Sequence, residues 1–168
     1  DGREPAGTIL VEVDRTKTNR TITVKDRAEG LLFSEMDERL RKIGALTSGF
    51  EDASNVRGNL GFGVKDLVGL GAFEFESIKN GEYACYAVNA DATLNAEKTN
   101  HRQATAEDYQ GLGVKDSGSS VTIHMKSGIT IPNAANLEDK IRGHYELRYI
   151  NQSDLRQLRL KDGANTDS

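Results

Sequence analysis

The chain contains a single cysteine, Cys85, so no intrachain disulfide can form and a disulfide-stapled scaffold is excluded. Export is not excluded with it, because many secreted or periplasmic domains carry no bridge. Nowhere does an apolar run approach the roughly 18–20 residues that span a bilayer; Leu31-Leu32-Phe33 is short and flanked by charge. A concentrated basic patch is also missing. Net charge is −4, with Lys and Arg dispersed among Asp and Glu, so phosphate neutralisation along a nucleic acid has no footprint. Arg39-Leu40-Arg41-Lys42 comes closest, and cations at that point suit the end of a helix. Tryptophan is absent, which weakens a carbohydrate-binding reading, since Tyr83, Tyr145 and Tyr149 fit core positions.

What is present suits one globular domain spanning 1–168 with a well-solvated surface: 36% hydrophobic and 29% charged residues over 168 positions. Residues 1–7 read as a loose N-terminal arm and residues 161–168 as a frayed tail. Asp1 in place of Met fits either removal of an export signal or a boundary inside a longer protein. Asn19-Arg20-Thr21 and Asn151-Gln152-Ser153 are acceptor triplets that matter only in a glycosylating compartment.

Alternation with a period of two marks strands at Thr8–Val13, Thr21–Lys25, Ala72–Ile78 and Glu82–Val88, the last two joined by the hairpin signal Asn80-Gly81. A further hairpin is expected from Ser120–Lys126 and Ile129–Ile131 around Ser127-Gly128, and later strands at Tyr145–Tyr149 and Leu155–Leu160. The segment Gly143–Tyr149 resembles late strands of many immunoglobulin-like sandwiches, a pattern too common to name a family. Asp26 followed by Glu29 has capping-box spacing, and apolar residues at 28, 32, 36, 40 and 43 predict an amphipathic helix over Ala28–Ile43 ended by Gly44. Shorter helical turns are expected after Thr105 and over Asn136–Ile141. The expected fold is α+β: about seven to eight mainly antiparallel strands, as a sandwich or rolled sheet, with one amphipathic helix packed on it.

Residues 45–71 are rich in glycine, and Gly61-Phe62-Gly63-Val64-Lys65-Asp66 is echoed by Gly111-Leu112-Gly113-Val114-Lys115-Asp116. The echo suggests duplicated turn-hairpin units at 61–94 and 111–131. Gly61-Phe62-Gly63 lacks the third spaced glycine of a dinucleotide fingerprint and is expected to open a strand, so no cofactor is assigned.

For chemistry, His124 and His144 fall on the polar faces of expected strands with Glu146 nearby, a two-histidine, one-carboxylate set that could hold zinc or iron, although the spacing matches no ligand motif. Cys85 sits mid-strand, where a small buried thiol is the commoner meaning, and Ser119-Ser120 lacks a nucleophile-elbow context. No catalytic residue is assigned. The function expected from these features is a non-enzymatic structural or interaction module, a secreted, periplasmic or virion subunit in an extracellular, envelope or virion assembly. Its partners would be protein, or copies of itself in a homo-oligomer, met through sheet edges and the N-terminal arm, with no nucleic acid and no membrane span. The alternative is a small-ligand-binding protein or enzyme with a pocket under the Gly-rich 47–71 loop.

Overall fold

The computed structural model describes residues 7–45, 66–144, 147 and 156–163. Their strands form one mixed sheet in the order β5-β4-β3-β6-β2-β1-β7. The strands are β1 (Gly7–Arg15), β2 (Arg20–Asp26), β3 (Gly71–Lys79), β4 (Glu82–Val88), β5 (Asn100–Gln103), β6 (Gly118–Met125) and β7 (Arg156–Asp162). All neighbours run antiparallel except β1 and β7. The helices are α1 (Phe33–Ala45), α2 (Ala106–Leu112) and α3 (Ala134–Gly143), and residues 66–70 form a helical turn leading into β3. An α+β fold with a mostly antiparallel, β-rich sheet is therefore observed. The expectation of a sandwich with a single helix is not met, because the described strands share one sheet and helical segments cover it at several places. No described helix is long and apolar enough to cross a membrane.

Two hairpins form where their sequences place them. Asn80 and Gly81 take φ of 54° and 78°, the left-handed pair that matches the twist of adjoining strands, and Lys79 faces Glu82 across the turn. In the first hairpin, Asp14 holds the turn by accepting from the Thr16 backbone N–H at 2.8 Å and from Asn19 Nδ2 at 3.1 Å.

Alternation divides the sheet into two unlike faces. On one, Phe73, Phe75, Ala84, Tyr86, Val88 and Ile123 pack against Met36 and Leu40 of α1. Val11, Val13 and Ile131 extend this apolar layer, with Leu137 of α3 against it. Each Phe, Val, Ile, Leu or Met side chain among these, moved from water to full burial, contributes about 1.5–3 kcal/mol. On the other face, Ile78, Tyr83 and Cys85 meet Leu112 and Val114 beneath α2, and the remaining positions are polar: Glu12, Thr23, Lys25, Glu76, Ser120 and Thr122 border a groove there.

Several expectations are corrected. The α1 helix starts at Phe33, not Ala28, because Gly30 adopts φ of +70° and interrupts helical geometry. Ile129–Ile131 is not a strand. Both edges of β6 are already occupied, by β2 and β3, so no partner edge is left for a hairpin. In the second Gly-x-Gly copy, Gly111 and Leu112 end α2 and Gly113 caps it with φ of 70°, its N–H donating to the Gln110 carbonyl. Residues 61–65 of the first copy lie outside the described residues, but they lead into the helical turn at 66–70 and not directly into a strand. Strand β7 runs through Asp162, two residues into the stretch read as a frayed tail. Of the strand expected at Tyr145–Tyr149, only Leu147 is described; it lies in a tight turn, its N–H donating to the His144 carbonyl at 3.0 Å.

Candidate functional site

Three neighbouring strands bring a row of polar side chains to one end of the α1-covered face. Asp26 ends β2 and is in register with Ser119 of β6, which is in turn in register with Ser77 of β3. All three positions share the parity of Phe73, Phe75 and Ile123, so they point toward the side where α1 packs. Ser77 is fully buried and Ser119 nearly so. Polar groups in an apolar layer must be hydrogen-bonded, and the Ser77 hydroxyl donates to the Gly118 carbonyl at 3.0 Å while accepting from the Leu31 N–H at 2.7 Å. Its oxygen lies 3.4 Å from that of Ser119.

The Asp26–Leu32 connection is built tightly over this row. Asp26 Oδ1 accepts from the Ala28 N–H at 2.9 Å, fixing the carboxylate against its own turn. Ser117 donates to the Ala28 carbonyl at 2.8 Å. A Cβ added to Gly30 would stand 2.3 Å from the Ile78 carbonyl oxygen and 2.8 Å from Ser77 Oγ. The chain then enters α1, where Glu35 accepts from the Leu32 N–H at 2.7 Å and pairs with Lys79 at 3.0 Å. The backbone hydrogen bond, followed by Lys79, holds the Glu35 carboxyl below its usual range.

The outcome is a rigid carboxylate with one oxygen engaged and the other, Oδ2, taking no hydrogen bond from any described residue. Beside it stands the Ser119 hydroxyl. Such a pair can accept from an N–H-bearing group and donate to a neighbouring acceptor. From here the chain runs through α1 into the glycine-rich segment 46–65, which lies outside the described residues, as does most of the 47–71 loop expected to cover a pocket.

The residues singled out from sequence lie elsewhere. His124 is on β6, on the polar face, with Nε2 3.3 Å from Glu74 Oε1. The pair is close enough for an ion pair once the ring is protonated but not aligned for a hydrogen bond, which leaves Nε2 buried and unbonded. His144 is the C-cap of α3, not a strand residue, and Glu146 lies outside the described residues. Among the described residues, no three His, Cys, Asp or Glu side chains gather as a metal would require. Cys85 is a buried free thiol, as its position mid-strand suggests; burial, then Glu76, push its pKa up to about 11. Sequence reasoning alone does not find the Asp26, Ser77 and Ser119 row. Asp26 reads there as a helix cap, and only the strand order places the two serines beside it.

No family model matches the sequence, and no curated protein matches it. A solved structure does: the 43K ATPase domain of Thermus thermophilus gyrase B, determined in complex with an aminocoumarin, with a TM-score of 0.60 and 16% identity. The likeness covers 97% of this chain and 39% of that one, so the chain spans well under half the length of the gyrase structure. This likeness establishes the fold. It also overturns the reading as a structural module of an extracellular, envelope or virion assembly, because the architecture is shared with an ATPase domain determined in complex with a ligand. The chain is similar in fold to a part, 39%, of the gyrase B ATPase domain structure.

Proposed function

We propose that the chain is a nucleotide-binding domain that holds a purine nucleotide against Asp26, Ser119 and the Gly30 turn. The observation that carries this reading is the fold: 97% of the chain aligns with an ATPase domain at a TM-score of 0.60. The site chemistry supports it. Asp26 Oδ2 is a fixed acceptor suited to an exocyclic amine, and the Gly30 turn, packed close on Ile78 and Ser77, holds the connection after Asp26 in place. The alternative anticipated from sequence, a ligand site associated with the 47–71 loop, is in line with this reading.

The test is equilibrium titration of the protein with ATP and ADP by calorimetry, with phosphate release followed in parallel. Asp26→Asn keeps the turn-closing Oδ1 but replaces the free acceptor with a donor. Loss of a charge-assisted hydrogen bond of about 1.5–3 kcal/mol weakens binding roughly 10- to 100-fold. Absence of saturable binding to either nucleotide at millimolar concentration, or an Asp26→Asn affinity equal to the parent, overturns the reading.

A further inference from the structure

On the opposite, polar face of the sheet, a groove of about 250 Å³ runs between α2 and strands β2, β6 and β3. Its charges are unevenly matched. Glu12 is paired with Lys25 at 2.8 Å and Lys161 at 3.3 Å, and Asp108 is held by the Arg102 guanidinium, with Nη2 2.8 Å from Oδ1. Glu76 and Glu107 also line the groove, and neither forms an ion pair with any described residue. The Tyr83 hydroxyl donates to Glu76 Oε1 at 2.6 Å, which orients the carboxylate without neutralising it. Lys25, the one cation lining the groove among the described residues, is committed to Glu12 and to the Gly111 carbonyl at 3.1 Å.

A second observation is independent of the acidic residues. Ser120 is only 2% exposed, lines the groove, and has no hydrogen-bond partner for its hydroxyl among the described residues. That hydroxyl opens onto the groove, where a ligand atom can bond to it in place of water. Next to it, the Thr23 and Thr122 hydroxyls bond to each other at 3.1 Å and retain acceptor capacity.

We infer that this groove binds a primary alkylammonium group, with Glu76 as counter-ion and Ser120 as a further hydrogen-bond acceptor. An –NH₃⁺ head offers three donors and no acceptor, which suits acceptors spread along a groove. A bare divalent ion instead needs ligands converging on one point, and no three such side chains do so among the described residues. The groove's volume admits an aminoalkyl chain, whether a free diamine or the side chain of a lysine in a peptide. The inference does not depend on the nucleotide reading, because Glu76 and Ser120 have the opposite parity from Ser77 and Ser119 and face away from Asp26.

The experiment titrates the ¹⁵N-labelled protein with putrescine, with a short peptide carrying one lysine, with the same peptide acetylated at that lysine, and with tetramethylammonium. Saturable shifts confined to Ser120, Thr122, Glu76 and Glu107 are expected for the first two ligands only. The tighter of the two names the natural source. Glu76→Gln weakens that binding about 10-fold and Ser120→Ala about 3-fold, while thermal unfolding reports that both variants are folded. Lack of saturation by putrescine and peptide alike, equal binding of tetramethylammonium, or unchanged affinity in both variants overturns the inference. Nucleotide affinity, measured on the same samples, stays at the parent value, so failure of one site is distinguishable from failure of the other.

Discussion

Gly30 governs the local geometry of the proposed nucleotide site. Its φ of +70° turns the chain from β2 toward α1, and its missing side chain leaves room for the Ile78 carbonyl and the Ser77 hydroxyl. Gly30→Ala is expected to lower unfolding free energy by about 2–4 kcal/mol, through the left-handed backbone and the 2.3 Å clash together. Urea denaturation measures it, and a loss under about 1 kcal/mol would show that the turn relaxes freely. At Cys85 the fold holds a proton that the unfolded chain releases near 9.0, and keeps it until about 11. Below the unfolded value this group contributes no pH dependence, and stability falls as pH rises across that window. At about pH 8 the buried thiol is correspondingly slow to react with a thiol reagent, at a rate set by opening of the sheet. Rapid labelling of the native protein at that pH would contradict the described burial.

Among the elements, α2 is a short helix made stable by its ends. Thr105 accepts from the Asp108 N–H, Asp108 accepts from the Thr105 N–H at 2.7 Å, and Gly113 closes the other end. Thr105→Ala is expected to cost about 1 kcal/mol, read by thermal unfolding. Asp108 also grips Arg102, whose guanidinium lies 4.5 Å from the centre of the Tyr83 ring. Arg102 above all, and then the Thr105 hydrogen bonds, hold the Asp108 carboxyl far below the usual aspartate range. Its stabilising effect is thus complete above about pH 4, the unfolded value, and is lost as the pH falls below that. Acid unfolding of Asp108→Asn should show a shallower slope in this range. The two main helices differ in how legible they are in the sequence. The repeat of Met36 and Leu40 identifies α1 correctly, and both are buried. Its start is misplaced because a capping box at Asp26 and Glu29 looks the same in sequence as the turn closed by Asp26 on Ala28. For α3, Asn133 caps by accepting from the Asn136 N–H, and the expected helix is two residues short at each end.

For the whole molecule, alternation within strands is readable and their order is not. Each strand's apolar parity is a local property, so the buried face can be assigned from Val11, Val13, Phe73 and Phe75. That β6 inserts between β2 and β3 depends on long-range pairing that leaves no local mark, and this insertion assembles Asp26, Ser119 and Ser77. Binding at that row must stabilise the native state by linkage. With nucleotide at about 100 times its dissociation constant the gain is about 2.7 kcal/mol, and it should appear as a raised melting temperature; at the same concentration a 10- to 100-fold weakening in Asp26→Asn leaves a gain of only about 0.4–1.4 kcal/mol. In the core, Leu40→Ala is expected to cost about 2–5 kcal/mol; the side chain is 2% exposed between α1 and the sheet.

The parallel pairing of β1 with β7 has a consequence in time as well as space. Gly7 through Val13 align with Arg156 through Asp162, and Arg15, which donates to the Pro132 carbonyl, pairs with Asp162 across 147 positions of sequence. Closing a loop that long is entropically slow and yields contacts only after the intervening chain is ordered. The inner hairpins, β1–β2 and β3–β4, need no such wait. β7 is therefore expected to join the sheet after these hairpins, and pulse-labelling hydrogen exchange during refolding, with Leu158 and Leu160 protected later than Phe75 and Tyr86, is the measurement that checks it.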